Sequence, residues 1–74
     1  MAIVRKLEQQ TLEKDSRHTE TECTYSIVNG KEGRFLQIDT YGSPARQFPD
    51  KKSQSIRFAP EAIKQLKALL KENF

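Results

Sequence analysis

The chain has a single cysteine, Cys23, a single histidine, His18, and no tryptophan. One cysteine excludes an intrachain disulfide. One cysteine and one histidine do not make a structural zinc site without further ligands. Aromatics are 8% of the residues, and glycine and proline number three each. No apolar run approaches the ~20 residues of a membrane-spanning helix, and the N-terminus shows no signal-peptide core. The expectation is a soluble, cytoplasmic protein (nucleoid-associated if bacterial) in a reducing compartment. Cys23, set in an alternating segment, reads as a small hydrophobe and not as a reactive thiol.

At 74 residues, 35% of them hydrophobic, there is material for one domain and a small core. Burying Ile63, Leu66 and Leu70 contributes roughly 1.5–3 kcal/mol each, against about 1–2 kcal/mol to order each backbone residue. With no disulfide or metal, association with a second subunit is the remaining route to stability. Net charge is only +3, but its distribution is uneven. Arg34, Arg46, Lys51, Lys52, Arg57, Lys64, Lys67 and Lys71 face only Asp39, Asp50, Glu61 and Glu72 over the second half.

Alternation predicts the elements. Residues 2–12 open with the β-branched pair Ile3-Val4, which favours a strand over a helix. From Glu20 to Val28, Cys23, Tyr25 and Ile27 alternate with Glu22, Thr24 and Ser26. Asn29-Gly30 is the strongest short turn signal, within a connection lengthened by Lys31-Glu32-Gly33. Arg34 to Tyr41 returns as the second strand of a hairpin, with Leu36 and Ile38 on one face and Phe35, Gln37, Asp39 and Tyr41 on the other. Residues 42–53 form a long loop, followed by a short strand, 54–58, that places Ser55 and Arg57 opposite Gln54, Ile56 and Phe58. Pro60 at a first helical position, with Glu61 beside it, starts a helix over about 60–72. Ile63, Leu66 and Leu70 form its apolar stripe, and Lys64, Lys67 and Lys71 its solvated side. The fold class is α+β, in the order β-β-β-β-α, as a single domain over residues 1–74.

Nothing in this pattern points to an enzyme. His18 lies in a polar stretch without a partnered nucleophile, Asp39 has no second positioned carboxylate, and Gly30, Gly33 and Gly42 do not form a phosphate loop between strand and helix. No cofactor or metal is expected. The positive signal is a basic and aromatic face: Arg34, Phe35, Gln37 and Tyr41 on one strand, Ser55 and Arg57 on its neighbour, and Arg46, Lys51 and Lys52 in the loop beside them. Bases stack on aromatic rings, and Lys or Arg neutralises phosphates. In the competing reading, Phe35 and Tyr41 form a minor core and the charges serve solubility.

The hairpin, the FLQIDTY strand, the FPDKKSQS loop, the I-x-F strand and PEAIKQLKALL, in that order and spacing, resemble the positive cofactor four (transcriptional coactivator) family and its bacterial single-stranded DNA-binding branch. The likeness is best from Tyr25 to Leu70. It implies a curved, four-stranded antiparallel sheet, a homodimer with helices meeting through Ile63, Leu66 and Leu70, and single-stranded DNA across the sheets. Lys51 and Lys52 match the basic residues that contact DNA in that family, and Lys31 falls where it also places a basic residue. The chain departs from the family at Gly42, where an aromatic is usual, and at Asp39, where a basic residue is usual. The expected function is single-stranded nucleic-acid binding, most directly of DNA, with little sequence specificity. It would suit transcription, repair or recombination. An RNA-binding protein and a protein-interaction module are the alternatives.

Overall fold

The computed structural model describes residues 1–42 and 52–74. Four strands, β1 (Ala2–Val4), β2 (Cys23–Gly30), β3 (Gly33–Thr40) and β4 (Gln54–Phe58), precede one helix, α1 (Pro60–Asn73). The strands form one sheet in the order β1-β4-β3-β2. The α+β class and the element order are those expected from the sequence.

The sheet is mixed, which corrects the expectation of a purely antiparallel one. β2–β3 and β3–β4 are antiparallel, but β1 runs parallel to β4, with Ala2 opposite Ile56 and Val4 opposite Phe58. A tight hairpin obliges its strands to be antiparallel, whereas a long connection does not. Residues 5–22 are long enough to carry the chain from one edge of the sheet to the other. The N-terminal strand is also short, ending at Val4 and not near residue 12.

The hairpin turn is displaced from its sequence signal. Asn29 and Gly30 pair with Arg34 and Gly33 as the last rungs of the ladder, and Lys31-Glu32 make the turn. Gly33 has φ +132°, a backbone region that essentially only glycine adopts without strain. A Cβ there would also lie 3.3 Å from Cγ of Pro60.

Strand register sorts the side chains onto two faces. Tyr25, Ile38, Ile56 and Ala2 lie in one cross-strand row, and Ile27, Leu36, Phe58 and Val4 in the next. These rows make an apolar face. Thr24, Asp39 and Ser55, then Ser26, Gln37, Arg57 and Ile3, make the polar one. α1 packs on β3 and β4. No helix residue lines the cavity open above Gln37 and Arg57, so the helix backs the apolar face.

The junction into α1 explains the missing polar cap. Ala59 is fully buried, its N–H donates to the Val4 carbonyl at 2.9 Å, and its own carbonyl accepts from Ile63 N–H. The position needs a small side chain more than a capping oxygen; Pro60 and Glu61 supply the favourable first turn. Ala62 is buried beside it, and Ile63 and Leu66 are half-buried. The Gln65 amide ties Leu7 to the helix through its N–H and carbonyl, at 2.9 and 3.3 Å.

The single chain is open. Its radius of gyration is 14.4 Å, against about 11 Å for a compact domain of this length. Its accessible surface is 6996 Å², against about 4,700 Å² for a compact monomer of this mass. On the apolar face Tyr25 is 74% and Ile27 62% exposed, and Leu69 and Leu70 of the second half of α1, with Phe74 just after it, are exposed as well.

Candidate functional site

The polar face is organised around Asp39. It sits on β3 directly opposite Ser55 of β4, two residues along from Gln37, and it is only 2% exposed. Burying a carboxylate is costly unless its oxygens are hydrogen-bonded. Here Gln37 Nε2 donates to both of them, at 3.2 and 3.1 Å, and Lys52 Nζ lies 3.3 Å from Oδ2. The Ser55 hydrogen bond first, then that of Gln37, with a smaller part from Lys52, hold the Asp39 carboxyl below its ordinary value against the opposing effect of desolvation.

The chain of donors extends across the sheet. Arg57, opposite Gln37 in the register, donates from Nε at 3.0 Å and also from Nη2 to Gln37 Oε1. Arginine has only donors and an ionised carboxylate only acceptors. The Gln37 amide must therefore turn its oxygen to Arg57 and its nitrogen to Asp39. Beside this network is a cavity of about 480 Å³, with Met1, Ala2 and Ile3 of the sheet edge on one side and Gln37, Lys52, Ser55 and Arg57 on the other.

The expected site residues divide into groups. Gln37, Lys52, Ser55 and Arg57 come together at the cavity. Tyr41 follows β3 on the same face, with its hydroxyl hydrogen-bonded to Thr24 Oγ1 at 2.8 Å. Phe35 also lies on this face, and its ring covers Gly30, where an added Cβ would fall 2.9 Å from Cε1. Arg34 is a correction: it pairs with Asn29, in alternation with Phe35, and so belongs to the Leu36 side of β3. Lys31 is in the hairpin turn, about 20 Å along β3 from Asp39 at ~3.4 Å per residue. Arg46 and Lys51 lie outside the described residues. Of the stripe expected at a dimer contact, Ile63 and Leu66 are already half-buried within the chain, while Leu70 is exposed.

Two contributors were not anticipated. Asp39 appeared as a charge of the wrong sign, but it is the hub that positions Gln37 and Lys52. Its place on the Gln37 side of an alternating strand, near a lysine pair, was the available signal. The wall formed by Met1 and Ile3 depends on β1 pairing with β4, which no local pattern announces.

A second exposed cluster joins the hairpin tip to the helix start: Arg5 Nη1 donates to Glu32 at 2.8 Å and lies 3.7 Å from Glu61. Hydrogen bonding to Glu32 raises the Arg5 pKa. As a surface pair it adds little stability, but it holds the chain leaving β1 against the turn. Among the described residues no group of His, Cys, Asp and Glu could hold a metal ion, and no helix is long and apolar enough to cross a membrane.

Comparison of the chain with protein-family models, with curated proteins and with solved structures finds no match.

Proposed function

We propose that this protein is a homodimeric single-stranded nucleic-acid-binding protein, most directly of DNA, acting in the manner that its resemblance to the positive cofactor four family implies. The observation that carries this reading is the polar sheet face, whose cavity no described residue of α1 lines. It sets the cations Arg57 and Lys52 beside a cavity, with Tyr41 and Phe35 on the same surface. The cations neutralise phosphates and the rings stack on bases. Asp39 does not oppose this reading, because its carboxylate is buried and occupied by Gln37, Ser55 and Lys52.

The dimer is supported by apolar side chains that the single chain leaves exposed. The exposed second half of α1 and the exposed Tyr25 and Ile27 offer apolar surface for a reciprocal contact.

The test is a titration of labelled oligo-dT, its RNA counterpart and a duplex at two salt concentrations, with light scattering for mass. Tight, salt-sensitive binding of the single strand over the duplex is expected. Duplex binding without single-strand binding excludes the proposal. The exposed apolar Tyr25 and Ile27 favour one alternative, a protein-interaction module; it predicts no salt-sensitive binding of any oligonucleotide.

A further inference from the structure

The cavity beside β1 has a more specific chemistry than a generic cationic surface. Asp39 accepts on both carboxylate oxygens, and Gln37 is engaged at both ends of its amide. Their acceptors are therefore turned inward. Arg57 uses Nε and Nη2 on Gln37. Among the described residues no hydrogen bond engages Nη1. With respect to the described residues, the end of the guanidinium thus keeps Nη1–H and the second Nη2–H as two parallel donors. Gln37, itself anchored on Asp39, fixes the plane of that fork. Ile3 lies opposite Arg57 on the edge strand and, with Met1, walls the cavity with aliphatic surface.

A fork of two donors complements two adjacent acceptors. Guanine presents such a pair, O6 and N7, and in an unpaired strand cytosine presents O2 and N3, whereas adenine places an amino donor beside both N7 and N1 and thymine separates O2 from O4 by the N3–H donor. The aliphatic wall suits the body of a base better than a hydrated phosphate. The volume of about 480 Å³ falls in the range of small-ligand sites.

We propose that this cavity is a single-base subsite selective for guanine over adenine and thymine, read by the Arg57 fork, with Gln37 and Asp39 as positioning residues. The proposal rests on the single-strand-binding reading above and adds one preferred base to an otherwise unselective strand. Lys52, half-exposed at the same cavity, serves the neighbouring phosphate.

The experiment measures anisotropy with labelled oligo-dT strands carrying one central guanine, adenine or 7-deazaguanine, on the full chain and on Arg57→Lys. A single guanine in the strand avoids quadruplex formation. The guanine strand is expected to bind wild type about tenfold tighter than the adenine strand. Loss of N7 in 7-deazaguanine should remove most of that advantage. Arg57→Lys keeps the charge but not the fork, so it should bind the guanine and adenine strands equally. Equal wild-type binding of guanine and adenine strands overturns the subsite and leaves the single-strand reading intact. A guanine preference that survives in Arg57→Lys also overturns it. Failure to bind any of the strands removes both proposals together.

Discussion

The Lys52 ammonium stands 3.3 Å from Oδ2 of Asp39, a half-exposed cation against a carboxylate that is only 2% exposed. An isolated acidic residue on a basic face would repel a polyanion. Paired and hydrogen-bonded, it becomes the anchor that holds Lys52 and Gln37 in place. Charge reversal relative to the resembled family is thus accommodated inside the protein.

Asp39 should make stability acid-sensitive. Its folded pKa lies below the ordinary carboxylate value, so its contribution is complete above about pH 4. It is lost as pH falls through the folded value. Asp39→Asn is expected to lower the urea midpoint at pH 7 and to flatten the decline below about pH 4. Urea melts at one protein concentration, at pH 7 and pH 3, check this; an unchanged acid response in the variant would contradict it.

Removing the cation at the rim should act on affinity and its salt dependence. Lys52→Gln is expected to weaken oligo-dT binding and to reduce the slope of log K against log salt by about 0.7, the value for one phosphate contact on a single strand. Anisotropy titrations across a salt series measure both. A weakened complex with an unchanged slope would remove Lys52 from the phosphate contacts.

Tyr41 separates stacking from hydrogen bonding. Tyr41→Phe loses only the bond to Thr24 and should bind oligo-dT nearly as wild type does. Tyr41→Ala should lose about 1–3 kcal/mol of binding, the worth of one base–aromatic stack. Equal affinity in the two variants would show that the ring does not touch the strand.

Leu70 should report on association. Wild type is expected to scatter as a particle of about twice 8.6 kDa, and Leu70→Asp near the monomer mass, because a carboxylate in a dry apolar contact is costly. A variant that remains dimeric would place the interface elsewhere.

Gly33 should tolerate no side chain. Alanine at φ +132° would meet Pro60 at 3.3 Å. Gly33→Ala is therefore expected to destabilise the fold by about 1–3 kcal/mol in urea denaturation. A smaller loss would mean that the start of α1 moves aside cheaply.

Much of the architecture could be read locally. Period-two alternation identifies β2, β3 and β4 and assigns Gln37, Asp39, Ser55 and Arg57 to one side of their strands. Pro60 and Glu61 mark the helix start. These are short-range properties of backbone geometry, side-chain direction and helix-end electrostatics, so a linear sequence carries them. The turn at Lys31-Glu32 was less legible, because glycines at 30 and 33 permit several closures and cross-strand pairing chose among them.

What required the tertiary structure was everything that joins distant segments. The parallel pairing of β1 with β4 puts Met1 and Ile3 beside Arg57. The register of β3 on β4 places Ser55 opposite Asp39 and Arg57 opposite Gln37. Those contacts turn an unfavourable charge into a hub and a basic residue into an oriented fork. Composition and alternation determined a small α+β chain with one polar, cationic sheet face. Long-range hydrogen bonding decided its chemistry, because a buried carboxylate accepts whichever donors the folded sheet brings within reach.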